Sequence, residues 1–309
     1  MLLYLLKRKT VNMKHLLFGL CLAFLSFPAF AQSKGVKGVK HVILIGLDGF
    51  GSYSIPKAEM PRLKEMMQQG SWTIKARNVL PTSSAVNWAS LLMGASPEIH
   101  GYTEWNSRKP EIPSRVVDQF GMFPSIFTLL YEQKPKYSAG VIYTWEGIGY
   151  LFPKQTVKKD VHCESDSMTT AVATDYIKNE KPNFLFIHFD QPDETGHKIG
   201  HDTPEYYAQL KIQDQLIGKI LDAIKESGTW DETIVMLTAD HGGINKGHGG
   251  KTLQEIEIPW LIMGKGIKKN QEIQETVNTF DTAATIAYIF GLKVPQAWIG
   301  RNVRTAFTK

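Results

Sequence analysis

Val42–Asp48 reads VILIGLD, an unbroken apolar run that ends on a carboxylate. Continuous Ile, Val and Leu without alternation is the mark of a parallel strand covered on both faces. The strand candidate itself is His41–Leu47, and the same pattern recurs at Ala139–Tyr143, Phe184–Phe189, Thr233–Leu237 and Pro259–Met263. Helical patterns lie between these runs, at Met60–Gln69, Pro124–Gln133, Asp166–Lys178, Pro204–Glu226 and Asp281–Phe290. Strand–helix alternation predicts a doubly wound α/β sheet, mostly parallel, with helices on both faces. Such sheets bind ligands beyond the carboxyl ends of their strands. Asp48 ends the first run, Asp193 follows Phe184–Phe189, and Asp240 follows Thr233–Leu237. All three carboxylates therefore fall where this fold class places a site.

Histidines accompany them. Asp193–His197 reads DETGH, and Val235–His248 reads VMLTADHGGINKGH. Asp48, Asp193, His197, Asp240, His241 and His248 make an oxygen and nitrogen donor set without thiolate, suited to two zinc-type ions. Pro81–Gly94 (PTSSAVNWASLLMG) adds small hydroxyl residues before a helix-like run, Ala85–Met93. A hydroxyl deprotonated by a metal could attack a phosphorus or sulfur centre there. Thr82, Ser83 and Ser84 could equally be helix N-caps, and His201 could replace His197 as a ligand.

The first residues read as a leader. Lys7, Arg8, Lys9 and Lys14 flank Leu16–Phe27, which is too short to span a bilayer comfortably, and Ala29-Phe30-Ala31 is a small-x-small cleavage pattern. Residues 1–31 are therefore expected to be removed on export, leaving 32–309 as one domain without a stable membrane anchor. Cys21 follows Leu20 rather than a small residue, which argues against lipidation. The formal charge of +5, less the four cations of the leader, falls to about +1. The basic pI thus says nothing about nucleic acid, and no Lys/Arg stripe interleaved with aromatics suggests a duplex partner. Cys163 alone remains after cleavage, so no intrachain disulfide can form. Gly94–Gly121, long and rich in Pro and Gly, is expected to cover a site rather than divide domains.

Taken together, these motifs resemble the alkaline phosphatase superfamily, in its nucleotide pyrophosphatase/phosphodiesterase branch. The resemblance rests on Leu47-Asp48-Gly49, on Pro81–Ser84 with Asn87 and Gly94-x-x-Pro97-x-x-His100-Gly101, on Pro192-Asp193-x-x-Gly196-His197-x-x-Gly200, on Asp240-His241-Gly242, and on Gly247-His248-Gly249. It covers nearly all of the mature chain and implies a three-layer sandwich. By position it implies one metal on Asp48, Ser84, Asp240 and His241, and another on Asp193, His197 and His248. The metals would be zinc, with manganese or iron as alternatives. Ser84 would be the nucleophile, Asn87 a hydrogen-bond donor to a phosphoryl oxygen, and His100 a structural histidine. The implied substrate is a small phosphoester or phosphoanhydride.

Two positions depart from the nucleotide-cleaving pattern. Ala85 follows the nucleophile position, and His188 lies five residues before Asp193, where that pattern has stacking aromatics. Trp105, Tyr143 and Trp145 are candidate replacements, and Lys251 a candidate contact for an anion. A sulfatase is disfavoured, because neither Ser84 nor Cys163 stands in a Cys/Ser-x-Pro-x-Arg context. A phosphate monoesterase would need an added arginine, for which Arg77, Arg108 and Arg115 are available. A catalytically silent metal- or glycan-binding protein would be expected to have lost a ligand, and none is lost.

Overall fold

The computed structural model describes residues 35–308. The expected leader lies outside the described residues. In chain order the elements are β1 His41–Leu47, α1 Pro61–Gln69, β2 Gly70–Arg77, α2 Ser84–Met93, α3 Pro97–His100, α4 Ile126–Gln133, β3 Ala139–Tyr143, β4 Lys159–His162, α5 Asp166–Glu180, β5 Phe184–Phe189, α6 Asp193–Lys198, α7 Pro204–Glu226, β6 Thr233–Ala239, α8 Leu253–Ile256, β7 Glu257–Gly264, β8 Gln271–Glu272 and α9 Asp281–Phe290.

The strands form one sheet, ordered β4-β3-β5-β1-β6-β7-β2-β8. The run from β4 to β6 is parallel throughout. Every residue of β1, β5 and β6 is buried, which is why their sequences carry no polar alternation. Helix α7 packs against α1 and α5, and α2, α4 and α9 pack against one another as a second group. The three-layer α/β architecture expected from the alternation is the one observed. Among the described residues, no helix is long and apolar enough to cross a membrane.

Three features depart from the sequence expectations. Pro259–Met263 lies within β7, which runs antiparallel to β6 and β2. An apolar run reports burial on both faces and is silent on direction, so the sequence pattern did not separate the two. Strands β2, β4 and β8 carry no long apolar run. In β4 (KDVH) every residue stays partly or fully exposed at the sheet edge, and β8 is a two-residue edge pairing. Third, Gly94–Gly121 is partly structured. Glu111 N–H and Arg115 N–H donate to the carbonyls of Gly101 and Ile99, folding the segment back onto α3 and bringing Trp105 over the start of α2.

Register positions the site. Leu47 of β1 pairs with Phe189 of β5 and Ala239 of β6, so the three central strands end level. The next residues are Asp48, Asp190 and Asp240. Level strand ends thus bring together groups far apart in sequence.

Candidate metal centre and catalytic cleft

Each carboxylate of the cluster has one oxygen held by protein donors and one without a partner. Asp48 Oδ2 accepts from Trp88 Nε1 at 3.0 Å and from His188 Nε2 at 3.2 Å, while Oδ1 is buried and unpaired. Asp240 Oδ1 accepts from Gly49 N–H at 3.1 Å and His241 N–H at 2.9 Å, while Oδ2 is buried and unpaired. Asp193 Oδ2 lies 3.1 Å from His197 Nε2, and Oδ1 is again unpaired. Unpaired buried carboxylate oxygens are costly unless something neutralises them.

The imidazoles show the complementary pattern. His241 Nδ1 donates to Gly242 O at 2.9 Å, His248 Nδ1 to Thr82 O at 2.8 Å, and His197 Nδ1 to Lys246 O at 3.0 Å. For His241 and His248, a proton committed to the carbonyl leaves Nε2 as a lone pair, while His197 Nε2 faces Asp193 Oδ2. These nitrogens converge: His248 Nε2 is 3.1 Å from His197 Nε2, and His241 Nε2 is 3.2 Å from Asp240 Oδ2 and 3.4 Å from Asp48 Oδ1. Lone pairs facing orphaned carboxylate oxygens repel unless cations lie between them. The backbone-anchored histidine is also the usual way a protein orients a metal ligand.

The atoms sort into two triads, Asp48–Asp240–His241 and Asp193–His197–His248. The first is wholly buried and the second is open on the His197 side. Burial, with the charges of Asp48 and Asp193, pushes the Asp240 carboxyl well above its usual range. Burial also pushes Asp193 up, but the hydrogen bond from His197 and the nearby His241 and His248 outweigh it and hold this carboxyl low. Burial, with the adjacent His248, lowers His241. The donor set fits two divalent cations bound through oxygen and nitrogen.

The Leu47-Asp48-Gly49 signature has a steric reason. Gly49 has φ +68°, and a Cβ there would stand 2.6 Å from the Cβ of Asp193. Only glycine lets β1 turn between its own aspartate and that of the second triad.

Three hydroxyls precede α2, and the structure separates them. Thr82 Oγ1 donates to Gly250 O and accepts from Gly249 N–H, tying down the loop that carries His248. Ser83 is the N-cap residue and makes no side-chain cap. Ser84 Oγ lies 3.2 Å from His241 Nε2 and lines the cleft with Asp48, Asp193, His197 and His248. One first-turn amide of α2 is already used, because Ala85 N–H donates to Trp105 O.

Asn87 departs from the expectation. Its side chain is fully buried. Its amide donates to the carbonyls of Val79, Pro81 and Ser83, and its Oδ1 accepts from Val79 N–H. It braces the loop that presents Ser84 and does not line the cleft. His100 is structural, as expected: it accepts from Tyr102 N–H and contacts Ser90 Oγ at 2.9 Å, and burial lowers its pKa to about 3.

Sequence reasoning missed the residues behind the ligands. Trp88 and His188 orient Asp48. The signal was available in His188, a polar residue inside an otherwise apolar strand. His201 is not in either triad. It is buried behind Asp193, with Nε2 3.7 Å from Oδ1. The cleft, about 220 Å³, is also lined by Trp105, Trp145, Asp190, Glu194 and Lys198. Burial and the Asp48 charge push the Asp190 carboxyl up to about 7. Tyr143 and Lys251 do not line the cleft, and Ala85 and His188 are both fully buried, so neither offers a stacking face.

Trp88→Phe should keep the packing while deleting the donor to Asp48 Oδ2. Metal affinity at the buried triad should fall by about 10- to 100-fold, the usual effect of losing such a supporting bond. Competition with a chromophoric chelator would measure it; an unchanged affinity would mean that His188 alone orients the carboxylate.

A mostly parallel sheet with two candidate metal-ligand triads and a serine hydroxyl at the carboxyl ends of its strands defines the alkaline-phosphatase-like fold with a candidate metal centre. Within that class the chain belongs to the type I phosphodiesterase/nucleotide pyrophosphatase family, whose model matches residues 42–246. It is similar to the bis(5'-adenosyl)-triphosphatase enpp4 of Xenopus laevis, 26% identical over 217 residues, covering 65% of this chain and 46% of the frog protein. The chain thus spans less than half the length of that relative. The fold is shared with murine ectonucleotide pyrophosphatase/phosphodiesterase 5 in complex with AMP, with TM-score 0.71, 16% identity, and coverage of 87% of this chain and 100% of the other. It is also shared with a 2-O GAG sulfatase, with TM-score 0.67, 16% identity, and coverage of 85% and 73%.

Proposed function

We propose that this protein is an exported two-zinc phosphoesterase that hydrolyses phosphodiester or phosphoanhydride bonds through a phospho-Ser84 intermediate. One observation carries the reading: Ser84 Oγ is the hydroxyl that lines the cleft beside both triads, in contact with His241 Nε2. Asp48, Asp240 and His241 would hold one cation, with Ser84 completing its set, and Asp193, His197 and His248 the other. Bound there, the cations would lower the pKa of the serine hydroxyl and offset charge on the phosphoryl oxygens. Ser84 Oγ forms the bond to phosphorus as the leaving oxygen departs. Water then hydrolyses the ester and regenerates the hydroxyl. The similar frog protein is named as a triphosphatase, which supports a small phosphorylated substrate here.

Diesters are favoured over monoesters by the lining of the cleft. Among the described residues no arginine lines it. Arg77 is paired with Glu257 and Arg108 with Glu146. A dianionic monoester would miss that clamp. The purified protein, assayed with bis-(p-nitrophenyl) phosphate and p-nitrophenyl phosphate, should show kcat/KM at least roughly tenfold higher for the diester, the scale of one charged hydrogen bond. A preference for the monoester would reverse this assignment. With Ala85 and His188 unable to stack, a nucleotide diester should gain little over an aryl diester of equal leaving-group pKa. An advantage beyond about a hundredfold, the scale of strong base stacking, would place the base on Trp105 or Trp145.

Export predicts a mature chain beginning at Gln32. Mass spectrometry of periplasmic protein tests it, and a lipid-bearing Cys21 at the N-terminus would contradict it.

A further inference from the structure

A second cavity, about 470 Å³, adjoins the catalytic cleft, and Trp145, Asp190 and Glu194 line both. Its lining includes no lysine or arginine. Its acceptors divide into committed and free. Both oxygens of Asp166 are taken, by Thr144 Oγ1, the amides of Asp190 and Gln191, and Gln213 Nε2. Glu146 is held by Arg108, and Glu194 by Gln191 and Lys198. Among the described residues, the carboxylates of Glu164, which is exposed, and Asp190, which is half-buried, have neither a hydrogen-bond nor an ion-pair partner. Gln213 is fully buried, and its Oε1 has none either.

An acceptor-rich wall with an indole beside it is complementary to a cation that carries N–H donors or presents a polarised alkyl surface. A metal ion is a poorer occupant. Among the described residues, only the two triads bring three ligand atoms within metal-binding reach of one another. These carboxylates are spread around a space the size of an organic substituent.

We propose that this cavity is a subsite for an ammonium-bearing substituent of the phosphoester, contacted by Asp190, Glu164 and the Trp145 face. The proposal rests on the phosphodiesterase reading and narrows its substrate class. It also accounts for a cleft whose only lysine, Lys198, is already paired with Glu194.

The test uses the metal-loaded protein and two diesters with one leaving group: p-nitrophenyl 2-aminoethyl phosphate and p-nitrophenyl propyl phosphate. They differ by an ammonium in place of a methyl. The amine ester should be favoured in kcat/KM by roughly tenfold or more, mainly through KM, as expected for a cation set against two carboxylates and an indole together. Glu164→Gln and Asp190→Asn should each shrink that ratio, and added salt should shrink it further. Turnover of both esters at equal efficiency, or a ratio untouched by both substitutions, would overturn the subsite and leave the phosphodiesterase reading standing. Turnover of neither ester would remove the phosphodiesterase reading and the subsite together.

Discussion

Ser84→Ala should reduce turnover of a phosphodiester by several orders of magnitude while the protein keeps its metals. Removing an activated nucleophile alone costs on the order of 10⁶ in kcat in hydrolases built around one. The expectation is sharp because the neighbouring hydroxyls have other work. Thr82 is fully buried, and its hydroxyl holds the 249–250 loop. Ser83 makes no side-chain cap and does not line the cleft. Metal content should survive, since each triad is complete without the serine. Single-turnover trapping should show phosphate on Ser84 in the unmodified chain and none in the variant. Near-normal turnover in Ser84→Ala, with Ser83→Ala inactive, would reassign the nucleophile; retained phosphorylation at no serine would point to direct attack by water.

Stripping the metals should abolish activity and also soften the fold. Three carboxylates and three imidazoles converge on one small volume, and among the described residues the cleft is lined by no arginine and by one lysine, Lys198, which is paired with Glu194. Without cations, carboxyls such as Asp240 must take up protons or repel one another. A metal at a thousandfold excess over its Kd stabilises the native state by about 4 kcal/mol. Exhaustive chelation should therefore lower Tm markedly as well as remove turnover, and zinc should restore both with close to two equivalents bound. Manganese and iron serve as comparison ions in the same titration. Full activity in protein shown to be metal-free by elemental analysis would dismiss the two-cation reading, and saturation at one equivalent would remove one of the two triads.

Both expectations draw on features of unequal visibility in the sequence. VILIGLD and its counterparts announce strands buried on both faces, because a strand covered by helices has no polar side to alternate. The carboxylates were legible for the same reason: a polar residue at the end of such a run lies at the sheet edge where ligands bind. Element type and the positions of Asp48, Asp193 and Asp240 therefore follow from local pattern. The three-layer class follows from strand–helix alternation.

What needed tertiary structure is everything decided by partners distant in the chain. Convergence of the three aspartates depends on β5, β1 and β6 being neighbours with level ends, a register set by long-range packing. The direction of each Nε2 toward the site depends on Nδ1 being held by the carbonyls of Gly242, Lys246 and Thr82, and the last is far from His248 in sequence. Asn87 is expected by position to donate to substrate, yet the carbonyls of Val79, Pro81 and Ser83 in its own loop accept from its amide, as the hydrogen bonding of a buried amide requires. Trp88 and His188 carry no motif, and only the folded chain brings their ring nitrogens to Asp48. The direction of β7 and the existence of β4 were likewise invisible, since burial pattern reports how much water a strand loses and carries no information about which neighbour excludes it.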